Sequence, residues 1–566
     1  MFSVKFLLTI LVVWLCISQS ALATQQQKIG FLLLAPDRGH LGNQEIENLF
    51  DEFRKDYTAS LGYIGNESPG GPDRAYGPYI NSSLDELIQM GVHKIVVIPL
   101  FLSRHHPNLA YAKNHIYKYH SLVSIEWAPA MAKSYLTAQI FLDRVKELSQ
   151  NPENEQLILL GIGPENDVSL EKIEKELKPI LDYAKRELPF KEIQTQLYFN
   201  YGAEKELRQR HNQLVDQEII KAAAKKGDAI LVPFVIGPRY SHQMSLRYWI
   251  REKFKEYDIK IADQGIIPHP NIQLWLRKTA NARIDISPRE VGVVVMPHGA
   301  QIPYNEAIEK VVGPLKEKYR IEMVYGMADA LSLAEAVKTL EGEGYRKIIV
   351  VRMYSLEEQF RDQTEYILGL SEAPPKSRRR SSPPPQVRSG AVFVTFGGYE
   401  EDPLICQILM ERVEAISQNP SKERVIFLAH GARSDSRDKA WRDLMEKHAE
   451  YIRKYTDTPF HSLHGLTVRE DWPDKREKAI EEIRRLISQE SGQIRTLVIS
   501  NRLFGSGRYD EFLKGLKFDM NRSGLAPHVN LTRWLDRGIQ QSLQSPQKLK
   551  GQAPGYVPGE TAPDAG

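Results

Sequence analysis

Apolar runs recur along the chain, and each is followed by a polar turn and an amphipathic stretch. Most of these runs are unbroken in Val, Ile and Leu, which is typical of parallel strands buried on both faces of a sheet. The clearest predicted strands are Ile29–Ala35, Lys94–Leu102, Gln156–Leu160, Ala229–Ile236, Gly292–Met296, Lys347–Val351, Val425–Ala429 and Thr496–Ser500.

Helices are predicted between these strands, because apolar residues recur there three and four positions apart. The clearest predicted helices are Glu45–Tyr57, Ser169–Glu187, Leu207–Lys225 and Asp474–Ser488. Strands that alternate with helices indicate doubly wound α/β domains. The predicted fold class is therefore α/β, with Rossmann-like or flavodoxin-like parallel-sheet units.

The chain also repeats itself. Three pairs of segments align without gaps: Arg144–Asp167 with Arg412–Asp435, Gly30–Asn43 with Gly292–Asn305, and Pro268–Leu276 with Pro527–Leu535. These alignments put Ile162 opposite His430 and Pro36 opposite His298. Because such repeats indicate duplicated structural units, we expect four related units in two bilobal halves. The predicted units are residues 28–155, 156–285, 290–423 and 424–545.

Met1–Ala23 is predicted to be a cleavable signal peptide. Lys5 supplies a positive start, Phe6–Ile17 is apolar, and Ala21–Ala23 fits the small-x-small cleavage pattern. The apolar run is shorter than the roughly 20 residues that a membrane-spanning helix needs. We therefore expect export to the periplasm with a cut after Ala23. No transmembrane segment is expected in the mature chain.

Composition narrows the function classes. The formal net charge of +3 is small for 566 residues, which argues against a nucleic-acid partner. Cys406 is the one cysteine left after signal removal, so no intramolecular disulfide is expected. The Pro-, Ser- and Arg-rich segment Ser371–Gly390 is predicted to be a disordered insert in the third unit, and residues 546–566 a disordered tail.

Two kinds of position are candidates for chemistry, because ligands of open α/β sheets bind beyond the carboxyl ends of strands. The first position ends the opening strand of each unit, at Pro36, Ile162, His298 and His430. The second is predicted to follow the fourth strand of each unit, in Pro99–Asn108, Pro233–His242, Arg352–Phe360 and Ser500–Phe512.

A family resemblance rests on these segments. The strand that ends in Ala429–Asp435 (AHGARSD), with the PLFL…H pattern of Pro99–Asn108, resembles the ATP-independent class II tetrapyrrole chelatases. Within that family the chain most resembles the sirohydrochlorin cobalt and iron chelatases, and the resemblance covers nearly the whole mature chain. It implies a lyase that inserts Co²⁺ or Fe²⁺, as its metal substrate, into sirohydrochlorin or a related tetrapyrrole without a nucleotide.

The resemblance also implies metal ligands. Family members place histidines from both positions in the cleft between two lobes. His298 and His430 occupy the first position, and three more histidines are candidates for the second, namely His105, His106 and His242. A neutral imidazole can hold or deliver the divalent ion.

Insertion also requires a base that removes two pyrrole protons. The units with a first-position histidine have carboxylates near the second position, and the ferrochelatase branch pairs a histidine with a glutamate. The expected catalytic residues are therefore His298 with Glu358 and His430 with Glu511. This set favours the C-terminal half as the active one.

Other residues recur in both halves. Arg239 and Arg508, each followed by tyrosine, are candidates for binding the carboxylates of an acidic tetrapyrrole. His269 and His528 precede a helix in matching PH-x-N segments. Their symmetry predicts a structural role, with the asparagine two positions later as the helix cap.

An alternative function remains open. The N-terminal half lacks both first-position histidines, and sirohydrochlorin is made in the cytoplasm, whereas this chain is predicted to be exported. The chain would then be an exported, non-catalytic metal-binding or haem- or tetrapyrrole-binding protein on a degenerate chelatase scaffold. A third possibility is that the N-terminal half is a scaffold or a partner-docking module.

Overall fold

The computed structural model describes residues 28–64, 77–224, 228–236, 246–375, 382–489 and 492–545. The predicted signal peptide and tail, and the middle of the predicted insert, lie outside the described residues. The chain divides between Ile284 and Asp285 into two compact units, called here the N-terminal half and the C-terminal half. Among the described helices, none combines the length and apolar character needed to cross a bilayer.

Every sheet in the described residues has four parallel strands in the order second, first, third, fourth. This order is that of flavodoxin-like doubly wound folds. Each half contains two such sheets, and each sheet with its helices is called a lobe, numbered 1 to 4 along the chain. The predicted fold class, α/β with parallel-sheet units, is confirmed.

The N-terminal half contains lobes 1 and 2. In lobe 1 the elements are β1 Ile29–Pro36, α1 Gly39–Phe53, β2 Ala59–Ile64, α2 Gly77–Gln89, β3 Lys94–Pro99, α3 Pro107–Ile116, β4 Ser124–Trp127 and α4 Tyr135–Lys146. In lobe 2 they are β5 Gln156–Ile162, α5 Asp167–Glu187, β6 Glu192–Tyr198, α6 Lys205–Ala224, β7 Ala229–Pro233, α7 Leu246–Phe254, β8 Ile259–Ile261 and α8 Pro270–Asn281.

The C-terminal half contains lobes 3 and 4. In lobe 3 the elements are β9 Val291–Pro297, α9 Ile302–Val312, β10 Ile321–Met323, α10 Ala330–Gly342, β11 Lys347–Met353, α11 Arg361–Ile367, β12 Val392–Gly397 and α12 Pro403–Glu414. In lobe 4 they are β13 Glu423–Ala429, α13 Asp435–Tyr455, β14 Ser462–Thr467, α14 Pro473–Ser488, β15 Arg495–Ser500, α15 Tyr509–Phe512, β16 Asp519–Asn521 and α16 Val529–Gln544.

The two lobes of each half share one hydrophobic core. In the C-terminal half, Val293 of β9 and Phe427 of β13 belong to the same buried cluster, together with Trp534 of α16. In the N-terminal half, Phe31 of β1 and Leu159 of β5 are joined in the same way. The outer face of each sheet has its own smaller cluster, so both faces of every parallel sheet are covered.

The strands predicted from the sequence are the two central strands of each sheet. The outer strands were not predicted, because they are partly exposed and interrupted by polar residues, as in β6 (EIQTQLY). One consequence is a correction. The second-position segments follow the third strand of each sheet, namely β3, β7, β11 and β15, and not a fourth strand.

The predicted insert is also corrected in part. Gln386, Val387 and Ser389 are buried, and Val387 N–H donates to the carbonyl of Ile367 at 2.8 Å. Gly390 N–H donates to the carboxylate of Glu341 at 2.8 Å. The end of Ser371–Gly390 is therefore packed against lobe 3, because its backbone groups find partners there.

The repeated PH-x-N segments have the structural role expected of them, but the capping residue differs. Nδ1 of His269 accepts a hydrogen bond from the backbone N–H of Asn271 at 3.1 Å, and its Nε2 lies 3.1 Å from Asp143. His528 repeats this arrangement, with an N–H bond of 3.1 Å and a 2.8 Å contact to Glu411. The histidine, and not the asparagine, is the cap of α8 and α16.

A buried histidine joins lobes 3 and 4. His448 of α13 is fully buried, and its Nε2–H donates to the carbonyl of Glu400, beyond β12, at 2.8 Å. Nδ1 is 3.5 Å from the amide nitrogen of Asn501, which follows β15. The contact with Asn501 requires an unprotonated Nδ1 and therefore the neutral ring, and burial lowers the pKa of His448 to about 4.

We predict that His448 makes the C-terminal half sensitive to acid. The folded protein protonates this ring near pH 4, whereas the unfolded chain does so near 6.5. Stability is therefore full above pH 6.5 and falls by about 3 kcal/mol as the pH drops to 4. In His448→Gln, which keeps an N–H donor but does not titrate, the loss of unfolding free energy between pH 7 and pH 4 should be smaller by this amount.

The measurement is urea denaturation at the two pH values. His461→Gln, at an exposed histidine of the same lobe, should retain the wild-type pH dependence. An unchanged pH dependence in His448→Gln would show that this ring is not the source of acid sensitivity.

Candidate functional site

His298 and His430 follow the opening strands of lobes 3 and 4 and are held in the same way. Nδ1 of His298 lies 2.8 Å from the carbonyl oxygen of Gly299. Nδ1 of His430 lies 3.0 Å from that of Gly431. Because a carbonyl can only accept, Nδ1 donates in both cases, and the singly protonated ring keeps the lone pair on Nε2. Nε2 of each imidazole can then act as a Lewis base, which at His430 requires that no proton lies between Nε2 and the nearby carboxylate of Asp471.

The glycine after each histidine is required by the backbone. Gly299 and Gly431 have φ of 76° and 79°, in the left-handed region that favours glycine. A Cβ at Gly431 would lie 2.6 Å from Oδ1 of Asp438 and 2.8 Å from Cβ of Thr467. The pair His-Gly thus has a physical basis: the glycine makes the tight turn that brings its own carbonyl under the ring.

In lobe 4, the segment Arg469–Trp472 lies beside His430. This segment, here called the β14 loop, closely follows β14. Oδ2 of Asp471 lies 3.2 Å from Nε2 of His430, and the indole of Trp472 meets the imidazole edge to face, with centroids 5.7 Å apart. The His430 side chain is 32% exposed. An imidazole nitrogen and a carboxylate oxygen therefore stand together at a solvent-accessible strand end.

The first half of the β14 loop fixes this arrangement. Arg469 has a φ of 54°, and its guanidinium donates to the carbonyl of Ala432 at 2.8 Å and to Asp435 at 2.7 Å. Glu470 accepts from Arg502, which lies in the second-position segment after β15. The β14 loop thus ties together the first and second positions of lobe 4.

The β14 loop was missed by sequence reasoning, which sought carboxylates near the second position. Glu511, the expected partner of His430, instead forms an ion pair with Arg508, whose Nε lies 2.8 Å from its Oε2. In the structure the carboxylate in contact with His430 is that of Asp471, and the pairing of His430 with Glu511 stays a prediction. Arg508 also lies over the Phe512 ring at 5.0 Å. Both members of the Arg508–Glu511 pair are exposed.

The site in lobe 3 is simpler. His298 is exposed, and among the described residues its ring has no hydrogen bond to Glu358. Of the two neighbouring glutamates, Glu357 forms an ion pair with Arg361 at 2.9 Å. Glu358 is exposed. The expected pairing of His298 with Glu358 is thus not formed.

Exposed apolar side chains lie at the same edge of the lobe 3 sheet as His298. Ile302 begins α9, Met327 follows β10, and Leu331 lies in the first turn of α10. All three are more than half exposed. An open depression of about 590 Å³ on α9 is lined by Ile302 and Tyr325, among others. His298 and these apolar side chains thus share one edge of the lobe 3 sheet, and the depression on α9 is also lined by polar and charged residues, namely Asn305, Glu306, Glu309 and Lys310.

The N-terminal half differs, because the ring of His106 is covered by other residues. His106 is buried and caps α3, with Nδ1 accepting from the backbone N–H of Asn108 at 3.3 Å. Gly163 of lobe 2 packs on the ring, since a Cβ there would lie 2.8 Å from Cδ2. Burial lowers the pKa of His106 to about 3. One nitrogen of His106 is thus a cap and the ring is covered, so the predicted role as a metal ligand would require this packing to open.

His105 is also engaged within the N-terminal half. Its Nε2 accepts from Nε of Arg104 at 3.3 Å. Its backbone N–H donates to Oγ of Ser103 at 3.0 Å, which in turn donates to Glu176 of α5. Burial lowers the pKa of His105. The two adjacent histidines are thus parts of the contact between lobes 1 and 2.

The predicted metal histidines that the structure describes, His105, His106, His298 and His430, belong to no three-ligand metal site. Within the described parts of the chain, no group of three or more His, Cys, Asp or Glu side chains could hold a metal ion. His242 and Arg239 lie outside the described residues. Among these predicted metal histidines, His430 forms an ion-pair contact with a carboxylate, that of Asp471.

Comparison with known proteins gives structural matches and no sequence match. No family model matches the chain, and no curated protein matches it in sequence. SirB from Bacillus subtilis with Fe³⁺ is 14% identical with a TM-score of 0.34, over 45% of this chain and 94% of that protein. The sirohydrochlorin chelatase SirB from B. subtilis subspecies spizizenii in complex with cobalt is 12% identical with a TM-score of 0.32, over 45% and 97%.

A third match is DR2241 from Deinococcus radiodurans, described as a multi-domain protein with structural similarity to chelatases. It is 13% identical with a TM-score of 0.31, over 46% of this chain and 55% of that protein. The solved structures similar to this chain thus include chelatases, the family that its sequence resembles. At these identities and TM-scores the likeness carries no argument about activity or metal.

We predict that Gly431→Ala will lower the unfolding free energy of lobe 4 by more than the strain of an alanine at positive φ accounts for. The added Cβ would be strained by φ and would also meet Asp438 and Thr467. Gly515→Ala is the matched control, because Gly515 has a φ of 86° and no described atom lies within 4 Å of where its Cβ would be. We expect a loss of about 1 kcal/mol for the control and at least about 2 kcal/mol for Gly431→Ala, by urea denaturation. Equal losses would show that the site around Gly431 is not crowded.

Proposed function

We propose that lobe 4 carries the active site of an ATP-independent chelatase, which inserts Co²⁺ or Fe²⁺ into sirohydrochlorin or a related tetrapyrrole. The observation that carries this proposal is the pairing of His430 Nε2 with Asp471 Oδ2 at 3.2 Å. The resemblance of Ala429–Asp435 to the chelatase motif supports it from the sequence side.

The chemistry needs both groups of this pair. Insertion of a divalent ion releases two pyrrole protons, and the ion must exchange its water ligands for four pyrrole nitrogens. An imidazole and a carboxylate are ligands for Co²⁺ and Fe²⁺, and each can also accept a proton. His430 would hold the ion through Nε2, and Asp471 would share the ion or receive a proton.

The small number of protein ligands favours a site that delivers the metal ion over one that stores it. Stable transition-metal sites generally use three or four protein ligands. The described residues around His430 offer two donors, His430 and Asp471, so most of the coordination sphere stays with water. Such an ion can be passed on to the tetrapyrrole. Trp472 beside the imidazole gives a flat apolar wall against which a macrocycle can lie.

A binding protein is the second candidate, and lobe 3 favours it. His298 has a usable Nε2 but no hydrogen-bonded carboxylate among the described residues, and exposed Ile302, Met327 and Leu331 share its sheet edge. A large exposed apolar surface commonly marks a binding site. Haem or another tetrapyrrole would bind there through the imidazole without turnover. The proposed export of the chain through Met1–Ala23 also favours a carrier.

The deciding experiment is an anaerobic insertion assay with sirohydrochlorin and Co²⁺, using protein that begins at residue 24. We expect multiple turnovers, followed by absorbance after subtraction of the uncatalysed rate. His430→Ala should lower kcat/KM by roughly 100-fold or more, and Asp471→Asn by roughly 10-fold, because each removes a metal ligand or proton acceptor. Glu511→Gln is the matched control and should stay within about twofold of wild type, because Glu511 is engaged with Arg508.

Two other results are informative. A stoichiometric spectral change without turnover, abolished by His298→Ala and not by His430→Ala, would favour the carrier. Turnover that survives His430→Ala would contradict the assignment of the active site to lobe 4.

A further inference from the structure

The loop after the opening strand is anchored in the same way in all four lobes. In each, a backbone N–H of the loop donates to a side chain near the start of the next helix. The pairs are Arg38 with Asn43 at 2.8 Å, Glu165 with Ser169 at 2.9 Å, Ala300 with Asn305 at 3.2 Å, and Ala432 with Asp438 at 3.1 Å. The anchor is neutral in lobes 1 to 3 and a carboxylate in lobe 4.

The carboxylate makes a second contact in lobe 4. Oδ1 of Asp438 accepts from Ala432 N–H in the His430 loop. Oδ2 accepts from the hydroxyl of Thr467, the last residue of β14, at 2.9 Å. Asp438 is buried, and its charge is offset by Arg442, whose Nε lies 3.4 Å away. A buried carboxylate with both oxygens engaged has little freedom to move.

Asp438 therefore connects the two segments that carry the proposed site. One segment holds His430, two residues before Ala432, and the other holds Asp471, four residues after Thr467. In lobe 3, Asn305 anchors the loop, and His298 has no hydrogen-bonded carboxylate among the described residues. The lobe with the bridging carboxylate anchor is thus also the lobe with the histidine–carboxylate pair.

We propose that Asp438, acting through Thr467, is a positioning residue that sets the separation of His430 and Asp471 for metal binding. This inference rests on the function proposed above. Asp438 itself touches neither the metal nor the tetrapyrrole. Its role is to hold two loops in register, as outer-shell partners of metal ligands do.

Thr467→Val tests this role, because valine keeps the shape of threonine and removes the hydroxyl. The contact of Asp438 with the His430 loop and its 3.8 Å contact with Arg469 of the β14 loop remain, and the hydroxyl contact with β14 is lost. We expect the Co²⁺ affinity of the His430-dependent site, measured by competition with a chromophoric chelator, to fall roughly 10-fold. Asp438→Asn should weaken it at least as much. Thr467→Ser, which restores the hydroxyl, should bind Co²⁺ within about twofold of wild type.

Thr456→Val is the matched control. Thr456 donates its hydroxyl to the carbonyl of Ile452 at 2.7 Å, at the far end of α13. Loss of the Thr456 hydroxyl should change the stability of the protein without changing its Co²⁺ affinity. NMR of ¹⁵N-histidine gives a second readout: the His430 ring should keep its proton on Nδ1 in Thr467→Val, because the loop anchor is intact.

The outcomes separate this inference from the proposed function. If Thr467→Val and Thr456→Val bind Co²⁺ as wild type does, while His430→Ala loses binding, the positioning role is wrong and the metal site stands. If His430→Ala retains all Co²⁺ binding, the proposed function fails and the positioning role fails with it. Weakened binding in Thr467→Val, rescued in Thr467→Ser, supports both.

Discussion

The structure depends on one constraint, that a parallel sheet must be covered on both faces. Each half meets it by packing its two sheets around a shared hydrophobic core. In the C-terminal half, Val293 of β9 and Phe427 of β13 both belong to this core. Parallel strands all end at the same edge of their sheet, so every loop that follows a strand reaches that edge. His430, Asp471 and Arg502 come from distant parts of the sequence and meet there because β13, β14 and β15 are neighbours.

The same constraint explains how much of the fold could be predicted. The central strands are buried on both faces and therefore appear as unbroken apolar runs, such as β11 (KIIVVRM). Outer strands have one neighbour and keep polar residues, so β14 (SLHGLT) gives no such run. Because β14 was not predicted from the sequence, the loop after it was not considered. The carboxylate that faces His430 lies in that loop.

The sequence indicated which residues are candidates for the site better than it indicated which side chains contact them. His298 and His430 were found because they end the opening strands of repeated units and because Ala429–Asp435 resembles a family motif. The sequence did not indicate that Asp471 contacts His430, or that Arg508, three residues away, engages Glu511. His106 looked available for binding, yet tertiary packing against Gly163 covers it. Local sequence cannot report which side chains a second lobe will cover.

The packing of Gly163 on His106 has a consequence for motion. Two lobes that share a core can admit a flat ligand by hinge opening about the connections between them. In the N-terminal half, any such opening would bring into water an imidazole ring that is now buried and that also caps α3. His106 is therefore reached only if this packing opens, whereas the His430 side chain is 32% exposed and can be reached as it stands. One half of the repeat thus keeps a histidine covered, and the other keeps one accessible.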